Sequence, residues 1–178
     1  IPSGSYPLKM KKILYYSIIF FLLFFWAIHV SAQKIGPEED KILITAENTF
    51  KMMQSRDLKG IWGCLTEKSK QRIVDDTYKS YLKLAKKENI PTPSKKDILN
   101  DFETVGRIAR EYWEAFLENF DPKTVLEQSE WKIGKVEGNY AEIIIHYKKS
   151  ERPAILQMFK ERGVWKTGLV ETFWTSIR

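Results

Sequence analysis

At Asp121-Pro122 the hydrophobic rhythm of the chain changes from a period near 3.6 to a period of 2, which limits the architecture to helices followed by an antiparallel sheet. Downstream, apolar, β-branched and aromatic segments begin at Trp131, Tyr140, Ala154 and Val164, the last running to Trp174. Glu137-Gly138-Asn139, Ser150-Glu151-Arg152-Pro153 and Glu161-Arg162-Gly163 separate them, the punctuation of hairpins. The segments read as antiparallel strands closing on themselves. Both faces are apolar in the middle two: Ile143, Ile145 and Tyr147 alternate with Ile144, and Ile155 and Phe159 with Leu156 and Met158. Such a sheet calls for helices on one face and for curvature, or a partner subunit in a homodimer, on the other. The expected fold is α+β: N-terminal helices packed on a curved antiparallel sheet of about four strands.

Upstream the signals are helical. Gly36-Pro37-Glu38-Glu39-Asp40 is a helix start, with proline in the first turn and acids at the positive end of the dipole. Ile42, Ala46, Phe50 and Met53 continue it as one apolar stripe, which stops at Ser55-Arg56-Asp57. A short helical turn carries Leu58, Ile61, Trp62 and Leu65. Thr66 then caps a helix whose face holds Ile73, Val74, Tyr78 and Tyr81, and which ends before Asn89-Ile90-Pro91-Thr92-Pro93. Ser94 with Asp97 forms a capping box opening one long helix to 120, through Ile98, Phe102, Val105, Ala109, Trp113 and Phe116.

The N-terminus reads as an address. Met10-Lys11-Lys12, the apolar block Ile13 to Val30 and Val30-Ser31-Ala32 make a signal peptide over 10–32, cut after Ala32. The unbroken apolar run, Ile18 to Ile28, is short for a membrane span, so the membrane is a partner only if this segment stays uncleaved. Residues 1–9 precede the start methionine and are excluded from the fold. One domain is expected over 33–178, exported to the periplasm or outside the cell. The net charge of +6 includes three lysines of residues 1–32; beyond them 26 basic residues face 23 acidic, or +3. That spread excess, Lys83, Lys86, Lys87, Lys95 and Lys96 included, is a solvated face and no footprint for nucleic acid. Cys64 is the one cysteine, so no internal disulfide forms, and it is expected as a small buried apolar residue.

The stretch Ala46-x3-Phe50-x2-Met53-x3-Asp57-x4-Trp62-x2-Leu65-Thr66 resembles the opening of domains in the nuclear-transport-factor-2-like (SnoaL-like, cystatin-type cone) superfamily. Gly163-Val164-Trp165-Lys166 resembles a hairpin near the close of many exported members. The chain departs from the pattern in having no strand between its early helices and in its long 94–120 helix. The resemblance implies a curved sheet wrapped round a helix, with a pocket at the open end of the cone. Members include isomerases, dehydratases, hydrolases and non-catalytic binding or assembly modules, so the fold alone assigns no activity.

Site chemistry is sparse. His146 is the one histidine beyond the leader, and on a strand it is the candidate general base; Tyr147 beside it points to the opposite face. The superfamily's enzymes pair an Asp or His with a Tyr, and no such set maps here. One His and one Cys make no zinc site without carboxylates; Asp97/Asp101 and Asp75-Asp76 read as polar helix faces. G-x-S-x-G, G-x-G-x-x-G and the P-loop are absent, and no cofactor is expected. The aromatics supply the remaining candidates: Tyr78, Trp113, Phe116 and Trp165, with Ile144 and His146, for lining an apolar ligand site. The leading expectation is an exported, non-catalytic domain binding a small apolar ligand or a protein partner. The alternatives are a small isomerase or hydrolase using His146, and a membrane-tethered assembly factor.

Overall fold

A computed structural model describes residues 36–173, which gather into one compact unit; the expected leader over 10–32 with its expected cut after Ala32, residues 1–9 and Trp174 lie outside them. The elements run α1 (Pro37–Ser55), α2 (Leu58–Cys64), α3 (Glu67–Glu88), α4 (Lys95–Thr104), α5 (Arg107–Asn119), α6 (Pro122–Gln128), β1 (Ser129–Glu137), β2 (Tyr140–Tyr147), β3 (Ala154–Glu161), β4 (Val164–Gly168) and α7 (Leu169–Phe173). The fold is α+β, as the change of period predicts. The strands form an antiparallel meander in the order β1-β2-β3-β4, and the sheet is open rather than closed on itself. Arg162 and Gly163, both at positive φ, give the two-residue β3–β4 turn its primed geometry. Among the described residues no helix is long and apolar enough to cross a membrane.

The helix starts follow the sequence signals. Pro37 opens α1, where Glu39 Oε2 accepts the Gly36 N–H at 2.9 Å. Thr66 Oγ1 accepts from the Ser69 N–H at 3.0 Å at the head of α3, and Ser94 and Asp97 cap each other at the head of α4. The α1 stripe of Ile42, Ala46 and Phe50 packs on the inner sheet face, against Ala141, Ile143, Leu156, Met158 and Trp165. A second core lies among the helices, where Trp62 stacks on Phe102 at 4.6 Å beside Ile73, Ile98 and Trp113.

Three elements depart from the expected outline. The helix over 94–120 is two helices, because Val105 sits at φ 55° and Asp101 turns back to cap the second one. Asp101 Oδ1 accepts the Ala109 N–H at 2.8 Å, and a side chain at Gly106 would collide with that carboxylate. Asp121-Pro122 ends one helix and also starts another: Asp121 caps α6 and Pro122 stands in its first turn, so the sheet begins only at Ser129. The final strand stops at Gly168, and 169–173 is helical. Leu169, Val170 and Glu171 are all buried, and three consecutive buried side chains are incompatible with strand alternation.

The fully buried polar side chains among the described residues are Thr49, Thr66, Ser69, Thr167 and Glu171. They form one connected network. Glu171 accepts from Thr66 Oγ1 at 2.8 Å and from Ser69 Oγ at 2.5 Å, and Ser69 Oγ in turn accepts the Val170 N–H at 3.0 Å. Thr167 O accepts the Thr66 N–H at 3.1 Å, and the Thr167 and Thr49 hydroxyls lie 2.8 Å apart. The carboxylate thereby sits at the positive end of α3. Replacing Glu171 by alanine strands two buried hydroxyls, and the expected loss is about 2–4 kcal/mol, read as a lower urea midpoint. Val105→Gly removes a β-branched residue from left-handed backbone and is expected to raise the melting temperature, a gain on the order of 1 kcal/mol.

Candidate functional site

The inner sheet face ends in two rungs: Ser129 of β1 pairs with Tyr147 of β2, and two residues earlier on β2, Ile145 pairs with Ala154 of β3. Beside them opens a cleft of about 390 Å³, at the small end of the roughly 300–1,000 Å³ usual for ligand sites. Its floor is Phe50 and Ile145. Phe120 and Val125, at the corner between α5 and α6, and Phe173 of α7 line its walls. Phe120 joins the other two rings, lying 5.7 Å from Phe50 and 6.0 Å from Phe173. Trp131 holds Phe50 edge-on at 5.0 Å.

Polar groups sit at the rim. Asn119, Asp121, Thr124, Ser129, Tyr147, Ser150 and Arg152 complete the lining. Asp121 is committed to structure: its carboxylate accepts from Thr124 Oγ1 at 2.5 Å and from the Lys123 N–H at 3.0 Å. The Thr124 hydroxyl, followed by its backbone N–H, holds the Asp121 carboxyl below its ordinary value of 3.8. Ser129 Oγ is covered and has no hydrogen-bond partner, on the wall shared with a second cleft of about 440 Å³ edged by Glu47, Lys51 and Gln54. Arg152 is exposed, with no ion pair to its guanidinium among the described residues.

The candidates read from the sequence fall in three separate places, and none lines this cleft. Trp113 is in the helical core with Tyr78 and Phe116 packed against it, and the Lys95 ammonium lies 5.6 Å from the Tyr78 ring. Trp165 is buried in the sheet core and donates its indole N–H to Glu38 Oε1 at 2.8 Å. Lys160 shares that carboxylate, and its hydrogen bond holds Glu38 below the ordinary carboxylate range. Ile144 and His146 lie on the outer sheet face. The His146 ring is exposed, and among the described residues its hydrogen-bond contact is the Ser150 carbonyl, 3.1 Å from Nε2. Tyr147, on the opposite face, does reach the cleft.

The outer face is apolar along its middle, where Tyr140 packs on Phe159 at 5.4 Å and Ile144 pairs with Ile155. Ile155 is 40% and Val164 56% exposed there. Burial and the hydrogen bond to Glu142 push the Tyr140 hydroxyl up to about 12. Cys64 is half-buried and a free thiol, 3.7 Å from Met52 Sδ. Asp97 and Asp101 serve as helix caps; Asp75 pairs with Lys95 and Asp76 with Arg72. Among the described residues no group of three His, Cys, Asp or Glu is placed to hold a metal ion.

The residues that build the cleft were visible as apolar letters, but their convergence was not. Phe120 lies four residues after Phe116 and continues its stripe, which is the one local signal. Phe173 belongs to a segment with strand composition. No family model, curated protein or solved structure matches the chain.

The α6 cap gives the cleft wall a pH dependence. A carboxylate with depressed folded pKa stabilises above its unfolded value and loses that stabilisation as pH falls through the folded one. The melting-temperature gap between wild type and Asp121→Ala is therefore expected to be full at neutral pH and to close below about pH 3.8, followed by circular dichroism.

Proposed function

We propose that residues 36–173 are a non-catalytic binding domain that takes a small apolar ligand into the cleft between Phe50, Phe120 and Phe173. The observation that carries this reading is the convergence of three rings from α1, the α5–α6 corner and α7 on an open cavity beside the last inner rungs of the sheet. Rigid aromatic walls with a few polar groups at the rim favour ligands that are largely apolar. The position also fits the resemblance to the nuclear-transport-factor-2-like superfamily, whose cone places a pocket at its open end. We place the domain outside the cytoplasm, on the strength of the leader read over residues 10–32 and its cleavage site after Ala32.

A protein partner, including a second copy, is the second reading, supported by exposed Ile155 and Val164 on the outer sheet face. Enzymatic use of His146 draws no support from a solvent-exposed ring bonded to a backbone carbonyl.

Ala154 is exposed at the rim, so Ala154→Trp fills the cleft without entering the core. The wild type is expected to bind an uncharged, environment-sensitive fluorophore saturably. Ala154→Trp is expected to lose at least tenfold in affinity, a penalty of about 1.4 kcal/mol, with an unchanged melting temperature. Absence of saturable binding to the wild type rejects the reading.

A further inference from the structure

The connection from β2 to β3 carries Lys148, Lys149 and Arg152 against a single acid, Glu151, and it forms one rim of the cleft. All three cations are exposed and, among the described residues, have no ion pair. Of the three, Arg152 itself lines the cavity. Asp121, also in the lining, has its oxygens occupied by the Thr124 hydroxyl and the Lys123 N–H. Tyr147, with its hydroxyl unpartnered among the described residues, stands on the rung below.

We propose that the cleft takes a free monoanion with an apolar body, a medium-chain alkyl or aryl carboxylate, its charge on the Arg152 guanidinium and its body against Phe50, Phe120 and Phe173. This rests on the reading of the cleft as an apolar ligand site and adds the ligand's charge and its polarity of insertion. Guanidinium geometry suits a two-oxygen headgroup, with two parallel N–H donors for a carboxylate. The cavity of about 390 Å³ admits one short chain or ring system and is too small for a two-chain lipid. Glu151, within the same connection as the cations, also disfavours a flat, densely anionic membrane surface.

The test is isothermal titration calorimetry on the full chain with decanoate and decanol, which share a tail and differ in charge. Wild type is expected to prefer decanoate roughly fivefold, the modest factor that a solvent-exposed charge pair allows. Arg152→Gln is expected to abolish the preference while keeping the affinity for decanol, and Ala154→Trp to weaken both ligands. Arg152 is exposed and touches neither core, so its replacement leaves the fold intact; an unchanged melting temperature verifies that. Equal affinity for the two ligands in the wild type overturns the charge assignment and leaves the apolar site standing. Binding of neither overturns both. A decanoate preference that survives in Arg152→Gln, or binding confined to vesicles of anionic phospholipid with none to monomeric decanoate, also overturns the proposal.

Discussion

The Glu171 carboxylate is the constraint from which the arrangement of this fold follows. A buried carboxylate is costly unless its lone pairs are occupied, and here the occupants are the Thr66 and Ser69 hydroxyls at the start of α3. Satisfying them seats α7 against the head of α3, while Gln157 of β3 ties it to the sheet, donating its backbone N–H to Thr172 Oγ1 at 2.9 Å and its side-chain amide to the Glu171 carbonyl at 2.8 Å. Leu169 and Val170 then enter the core around Trp62 and Trp113. Thr167 completes the junction by bonding Thr66 through its carbonyl and meeting Thr49 through its hydroxyl. The two hydrophobic cores are thus joined at one polar seam. Packing alone tolerates many rotations of α7, whereas a fully satisfied hydrogen-bond network selects one.

The cleft is a by-product of the same geometry. α7 follows Gly168 directly and brings Phe173 to the cleft beside Ala154 and Tyr147. The α5–α6 corner brings Phe120 to the opening but does not fill it, since Asp121-Pro122 redirects the chain at that point. The result is an apolar recess bounded by three elements distant in sequence. Its rim carries charge from a hairpin connection that has no packing duty.

Most of the outline was legible because it rests on local chemistry. Caps at Gly36-Pro37, Thr66 and Ser94, and turns at Gly138 and Gly163, act within four residues and are written in the letters. The failures came where tertiary contacts override period. Val105 fits the apolar stripe and gives no hint of φ 55°; the break depends on Asp101 reaching over Gly106 to Ala109. Residues 169–173 have strand composition, and only the partnership of Glu171 with α3 makes them helical. The site was less legible still. Tyr78, Trp113 and Trp165 attract notice as large aromatics, but such side chains satisfy cores first, and a recess is defined by what remains uncovered after packing.

The polar seam also sets the order in which this molecule can assemble. Its hydrogen bonds link residues 102 and 105 positions apart in sequence. Helices α1 to α5 consist of local contacts and form quickly, but Thr66 and Ser69 have no buried partner until the hairpins and α7 arrive. Until then the helical layer exposes the apolar surface that Leu169 and Val170 later cover. Closure of that long loop is therefore the step that joins the helical layer to the sheet.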